Sequence, residues 1–308
     1  MAEILTNATW SVSDVRGQYS DRNPHADLYR YLGQWSDMES YLNVGYSHPG
    51  QYHLHSSSHL RLINRLADGL LALHAAGPYA NDHRLLDIAA GRGGAAIHAC
   101  QRYGLDVLGV DITSYNAWRA KHNVQTQNIG ARVGVSLGNA LRLPLADESF
   151  SLAWSIESPA HFADKPAFLR EARRVLRPGS AFTLADLLLV DKVATASTEH
   201  QQIYTDFLHA WDVPYLETLN GYQQAIASAG FELRRVEIVT RYNLDILNRD
   251  CVIFLWLSKF GWLYRLYRRY LRWRTGANLD NVYAHVLASH RALGLGMIDY
   301  GLFWMIRL

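Results

Sequence analysis

From residue 83 onward the chain alternates between two kinds of hydrophobic pattern. Short apolar runs, "RLLDIAA", "DVLGVD", "ARVGVSLG" and "FSLAWSIE", are separated by stretches such as "AAIHACQRYG" and "SYNAWRAKHNVQ". In those stretches apolar residues return every three or four positions. The runs predict buried strands and the stretches predict amphipathic helices. Strand and helix in alternation predict an α/β fold, a parallel sheet covered by helices on both faces. A further helix is expected from about Asp164, with Phe168, Leu169, Ala172, Val175 and Leu176 on one stripe and "RPG" at Arg177 to Gly179 as its stop. "AFTLADLLL" predicts a fifth strand and "GYQQAIASAGF" a helix closed by Gly230. "ELRRVEIVTR" and "MIDYGLFWMIRL" predict two more strands.

Three stretches fall outside this series: residues 1 to about 75, about 192–218 and 243–295, which hold most of the aromatic residues. The expected organisation is an amino-terminal helical lid segment over 1–75 and a core over 76–190. The remainder of the sheet, with the two helical insertions, occupies 191–308.

Composition narrows the picture. With 308 residues, 49% hydrophobic and 19% charged, the chain fits a large globular domain rather than a disordered or fibrous one. A net charge of +2 gives no reason to expect nucleic acid. Cys100 and Cys251 are too few for a disulfide framework or a zinc site, and both are expected to be buried small hydrophobes of a protein in a reducing, cytoplasmic setting. "MAEILTNATWSVSDVRG" lacks the basic flank and apolar stretch of a secretion signal. "CVIFLWLS", broken by Lys259, falls short of the roughly 20 apolar residues that span a bilayer.

The segment "LLDIAAGRGG" (85–94) places a glycine-rich turn between a predicted strand and a predicted helix. Gly91, Gly93 and Gly94 let backbone approach a ligand, and the helix start offers free N–H groups. Asp111 follows 20 residues after Gly91, at the end of the next strand, where a carboxylate can accept both hydroxyls of a ribose.

"LLDIAAGRGG", "LGVDIT", "GNALRLPLADESF" and "FLREARRVLRPG", in this order, resemble the class I S-adenosylmethionine-dependent methyltransferases. The similarity is to the branch that modifies sterols, tocopherols, glycolipids and natural products, and covers about residues 80–190; "YLNVGYS" (41–47) is similar to a segment ahead of the core in that branch. The resemblance implies a Rossmann-like doubly wound sheet, mostly parallel with an antiparallel last strand, plus a helical lid. It implies S-adenosyl-L-methionine as cofactor, held by Asp87, Ala89, Gly91, Gly93, Asp111, Ile112, Asn139, Ala140, Glu157 and Tyr46. Asp87 would face the methionine ammonium, which separates the site from a dinucleotide site because a carboxylate there repels a pyrophosphate. Three positions depart from the family pattern. Ala89 replaces a glycine, which a turn tolerates at negative φ. Asn139 replaces an aspartate, and its oxygen can still accept from the adenine amino group. Ser151 replaces a further aspartate.

A sulfonium methyl is already activated, so the protein's task is alignment and, for a hydroxyl acceptor, removal of a proton. In this fold ligands lie beyond the carboxyl ends of the strands. "WSIESPAHFADK" (154–165) puts Glu157 at such an end with His161 four residues later, and Asp186 ends the next strand, about 4.8 Å away. The expected arrangement is His161 as general base, Asp186 as its orienting partner and Glu157 near the sulfonium. Related natural-product O-methyltransferases resemble this chain at those three places. The alternatives are structural: Ser158 or Asp164 as helix caps, Pro159 as a turn former, His161 bonded to backbone, and Glu157 held by backbone N–H groups.

Tyr31, Trp35, Tyr41 and Tyr46 could close over the cofactor or pack within a helical cap. Such aromatic richness keeps C-methylation open beside O-methylation, since rings and a carboxylate such as Glu157 stabilise a carbocation. A third reading is a partner protein that binds the cofactor without turnover. His53, His55 and His59 have no acid among them and are not expected to hold a metal. "FGWLYRLYRRYLRWRTG" (260–276) is cationic and aromatic. A peripheral membrane contact, an anionic group on a lipophilic substrate, and a solvated lid face or homodimer contact all stay open for it.

Overall fold

The computed structural model describes residues 42–47, 56–191 and 197–308. Helix α1 (Ser56–Ala75) comes first. It is followed by β1 (Arg84–Ile88), α2 (Gly94–Tyr103), β2 (Asp106–Asp111), α3 (Ser114–Thr126), β3 (Val133–Leu137) and β4 (Phe150–Ile156). A single 3₁₀ turn (Pro159–His161) leads into α4 (Lys165–Val175) and β5 (Leu176–Leu189). The second half runs α5 (Thr198–Trp211), β6 (Glu217–Thr218), α6 (Leu219–Ser228) and β7 (Phe231–Ile238). It ends with α7 (Leu244–Ser258), α8 (Gly261–Thr275), α9 (Leu279–Gly294) and β8 (Ile298–Arg307).

The strands form one sheet in the order β3-β2-β1-β4-β5-β8-β7, with β6 beside β5. β1 to β5 pair in parallel, and β8 runs antiparallel to both β5 and β7. The expected α/β architecture, mostly parallel with an antiparallel last strand, is the one observed. Strand order reverses between β1 and β4, so the chain leaves the two strands in opposite directions and opens a crevice at their carboxyl ends.

Burial on both faces explains why the strands read as continuous apolar runs rather than alternating ones. On one face Phe168, Leu169 and Ala172 of α4 and Tyr222 and Ile226 of α6 pack with Phe182, Phe231 and Phe303. On the other, Leu62 and Leu66 of α1 meet Tyr204, Phe207 and Trp304. Trp304 Nε1 donates to Leu66 O at 3.1 Å and lies so close to Gly69 that a Cβ there would sit 2.2 Å from it. Glycine at 69 is therefore what lets α1 approach the sheet.

One boundary differs from the sequence expectation. "RPG" does not follow α4 as a loop; α4 passes directly into β5, and Arg177–Gly179 belong to the strand. The register moves from Phe150↔Leu176 to Leu152↔Ala181, so β5 bulges outward, and Gly179 at φ 79° makes the bulge. Residues 192–218 supply α5 and β6, and residues 243–295 supply α7, α8 and α9.

Candidate active site

The glycine turn lies at the crevice. Ala89, Gly91 and Gly93 all take left-handed conformations, with φ of 61°, 55° and 82°. The expectation of negative φ at Ala89 is not met: the turn needs a left-handed residue there, and an alanine holds it at a steric cost of about 1 kcal/mol. Asp111, at the end of β2, braces the turn from below. Its Oδ2 accepts from Gly91 N at 2.9 Å, and its Oδ1 accepts from Thr113 N at 2.9 Å and Asn116 Nδ2 at 3.4 Å. Burial pushes its carboxyl up to about 6.

Asp87 is buried at the end of β1, and burial pushes its carboxyl up to about 7, with the neighbouring Asp111 charge acting in the same direction. Its Oδ2 has no hydrogen-bond partner among the described residues. A buried, unsatisfied acceptor is costly unless a ligand completes it. Asp87, Ala89, Gly91 and Arg92 line a cavity of 40 Å³ with Leu42 and Ile156. A carboxylate with a spare acceptor behind a backbone turn fits an amino-acid ammonium, so the residues present suit S-adenosyl-L-methionine.

The turn after β3 is held from within, and the second lone pair of its Asn139 oxygen is left for a ligand. Asn139 Oδ1, expected to take the adenine amino group, accepts from Leu141 N at 2.9 Å and so holds its own turn. Ala140 is buried beside it, and Ile112 follows Asp111 half-buried. Tyr46 does not open onto the glycine turn. It is 7% exposed, stacked on Tyr242 at 4.9 Å, with the Arg65 guanidinium 5.4 Å from its ring.

At the end of β4, consecutive residues face different spaces. Ile156 lines the glycine-turn cavity, and Glu157 lines a second cavity, also of 40 Å³, with Ala160, His161, Phe207, Trp211 and Leu244. Leu42 borders both. Glu157 achieves this by a left-handed backbone, φ 57°. Strain of this kind in a non-glycine residue persists only where its surroundings fix it. Here Val44 N donates to both carboxyl oxygens at 2.8 and 3.0 Å, and Tyr300 Oη donates at 2.6 Å. Burial pushes the Glu157 carboxyl up to about 8 against those bonds. Ser155 Oγ and Ser158 Oγ meet at 2.6 Å, one donating to the other while its partner donates to Ile88 O, 3.1 Å from Ser155 Oγ and 3.4 Å from Ser158 Oγ, which fastens this strand end to β1. Ser158 is therefore a strand clamp rather than a cap. Asp164 caps α4, its Oδ1 accepting from Ala167 N at 2.8 Å.

His161 and Asp186 are not brought together as expected. Asp186 accepts from Ala160 N at 3.1 Å and from the Tyr222 hydroxyl. The reason is strand alternation. Leu184 and Leu188 pack with Tyr222 on the α4–α6 face, and Asp186 shares their side of β5. Ala185 and Leu189 lie on the opposite face, and Leu187 lines the cavity with His161. His161 Nδ1 instead lies 3.4 Å from Asp212 O. A carbonyl only accepts, so Nδ1 is the donor in this contact, and in the neutral tautomer that matches it Nε2 is the basic nitrogen.

Sequence reasoning missed Lys165. It is fully buried, and Nζ donates to Phe162 O at 3.2 Å and Tyr215 O at 3.1 Å while lying 3.5 Å from the Tyr215 ring centre. Burial lowers its affinity for a proton, and the Asp186 charge opposes that; burial raises Asp186, and Lys165 opposes it in turn. The available signal was a lysine in the first turn of a helix, where the helix dipole disfavours it. Of the histidine cluster, His53 and His55 lie outside the described residues, as do Tyr31, Trp35 and Tyr41. His59 is buried against Asn43 Oδ1 at 3.1 Å, and burial pushes it down to about 4.

Residues 86–184 match a family described as a methyltransferase domain. The 27-O-demethylrifamycin SV methyltransferase of Amycolatopsis mediterranei (strain S699) is 33% identical over 183 residues, covering 59% of this chain and 64% of that protein. The (+)-O-methylkolavelool synthase of Herpetosiphon aurantiacus is 32% identical over 155 residues, covering 50% and 53%. The chain thus spans less than two thirds of the length of these relatives. Geranyl diphosphate C-methyltransferase from Streptomyces coelicolor A3(2), solved with Mg²⁺, geranyl diphosphate and S-adenosyl-L-homocysteine, superposes with a TM-score of 0.65 at 18% identity. The superposition covers 94% of this chain and 99% of that one.

Proposed function

We propose that this chain, which carries a methyltransferase domain over residues 86–184, transfers a methyl group from S-adenosyl-L-methionine to a hydroxyl of a neutral, lipophilic small molecule. The observation that carries the reading is the meeting of two cavities at the end of β4, one behind the glycine turn and one lined by Glu157 and His161. Asp87 would hold the cofactor's ammonium, Asp111 and the glycine turn its ribose, and the turn at Asn139 and Ala140 its adenine. When bound, S-adenosyl-L-methionine supplies an electrophilic methyl group on a sulfonium.

The chain's own residues then do two things. His161 Nε2 takes the proton of the acceptor hydroxyl, with Nδ1–H directed at Asp212 O. Glu157, held by Val44 and Tyr300, fixes the segment Leu42–Val44 over the junction of the two cavities. Apart from Ser289, the rest of the acceptor cavity is lined by apolar and aromatic side chains, and no lysine or arginine lines it among the described residues, which favours a neutral acceptor over a diphosphate. O-methylation is favoured over C-methylation because His161, a group able to take a hydroxyl proton, lines the acceptor cavity, and because the rifamycin and kolavelool relatives are named for methyl groups on oxygen.

No helix of the described residues is long and apolar enough to cross a membrane. A lipophilic acceptor is compatible with a peripheral membrane contact through 260–276. Titration calorimetry with S-adenosyl-L-homocysteine tests the donor half. Binding is expected to weaken about 10- to 100-fold in Asp87→Asn, the range of a charged hydrogen bond. It is also expected to weaken as pH falls below about 7, because Asp87 must then lose a proton before it can pair with an ammonium. Affinity unchanged by the substitution and flat from pH 6 to 8 would overturn the assignment of Asp87.

A further inference from the structure

α7 and α8 form a hairpin whose outward side is apolar and cationic at once. Ten of the sixteen large hydrophobic side chains exposed among the described residues lie between Val252 and Trp273. Trp256 is 57% exposed, Trp262 64% and Trp273 82%. α8 has two separate apolar sides. Leu271 is buried against Leu279 and Val282 of α9. Trp262, Leu266 and Trp273, spaced by four and seven residues, share a different side that faces out.

Residues 259–274 hold Lys259 and five arginines with no acid. Arg268 pairs with Asp280 at 2.9 Å, and Arg274 donates to Tyr270 Oη at 2.7 Å. Arg265, Arg269 and Arg272 are exposed, make no ion pair among the described residues, and by helical spacing border the tryptophan side. A groove of 540 Å³ between the two helices is lined by apolar, tyrosine and serine side chains, Leu257, Leu263 and Leu266 among them, with no charged group.

We infer that this hairpin docks on an anionic lipid surface. The three tryptophans would sit at the boundary of headgroups and acyl chains, with the arginines against lipid phosphates. A second copy docking through the same patch would set two cationic faces against each other. A nucleic acid would satisfy the arginines while leaving the leucines and valine in water.

The placement also connects the surface to the acceptor cavity. Leu244 and Leu247, in the first turn of α7, line that cavity, and Trp256, about 18 Å along the same helix, is at the surface. α7 therefore gives a lipophilic acceptor a route from bilayer to cavity. The route rests on the proposed methyl transfer; the docking itself does not.

The test is flotation of the full chain with vesicles of phosphatidylcholine, alone or mixed with phosphatidylglycerol, in the absence of methyl donor and acceptor. The outcome is then independent of any catalytic reading. Binding is expected to the anionic vesicles only and to be weakened by salt. The triple variant Arg265→Glu, Arg269→Glu, Arg272→Glu is expected to lose at least about 100-fold in partition. Trp262→Ser with Trp273→Ser is expected to lose binding even at low salt, with the thermal unfolding midpoint unchanged because both side chains are exposed. Wild-type chain that stays in the aqueous fraction with both vesicles, or a triple variant that binds as the wild type does, overturns the inference. A dimer in sedimentation velocity that both tryptophan substitutions abolish, without vesicle binding, would overturn it in favour of a second copy.

Discussion

Ala89 shows how much one residue's backbone carries. It sits in a left-handed turn that glycine adopts without steric cost, between Asp87 and the Gly91 N–H that Asp111 accepts. Ala89→Gly is therefore expected to stabilise the chain by about 1 kcal/mol, read as a higher denaturant midpoint at unchanged slope. A lower midpoint would show that the turn is not strained. Asp87, Gly91 and Asp111 were legible because strand, turn, helix and acid recur in a fixed order. The partner of His161 was not, because a carbonyl at Asp212 leaves no signature in side-chain chemistry. Strand alternation, which sends Asp186 toward Tyr222, is decided by which face the helices cover.

At the scale of elements, the stretch from β4 to α4 has two parts with different work. Ile156 to His161 divides two cavities, whereas Asp164 starts a helix by accepting from Ala167 N. Asp164→Ala is expected to cost about 1 kcal/mol, the usual worth of such a cap, with cofactor affinity unchanged in calorimetry. Parallel loss of affinity would mean that the helix entrance and the site are not separable. The sequence predicted this cap and every strand of the main sheet order, because apolar runs and capping residues are local signals. It did not predict that α4 would run straight into β5, since a bulge at Gly179 depends on the register with β4.

Over the whole molecule, the crevice collects acids that folding takes out of water. Burial raises Asp111 to about 6, Asp87 to about 7 and Glu157 to about 8. The folded chain thus holds these protons more tightly than the unfolded chain does. Their stability is full below about pH 4 and is lost as pH rises through 6 to 8. The melting temperature of the ligand-free chain is expected to fall from about pH 6.5 to pH 8, above the range in which buried neutral His59 acts in the opposite direction. Excess S-adenosyl-L-homocysteine, whose ammonium favours ionised Asp87, is expected to restore much of it at pH 8. A melting temperature that rises over this range would contradict the burial of these carboxyls.

The central claim joins the two cavities into one reaction, and transfer of a labelled methyl group tests it most directly. The chain is incubated with S-adenosyl-L-methionine carrying a deuterated methyl, against neutral lipophilic alcohols and phenols and against diphosphate esters, and products are read by mass and NMR. The prediction is a labelled methyl on oxygen of a neutral acceptor, at a rate lowered about 100-fold or more by His161→Ala. Label on carbon, label on the diphosphate esters alone, or a wild-type rate in His161→Ala would contradict it.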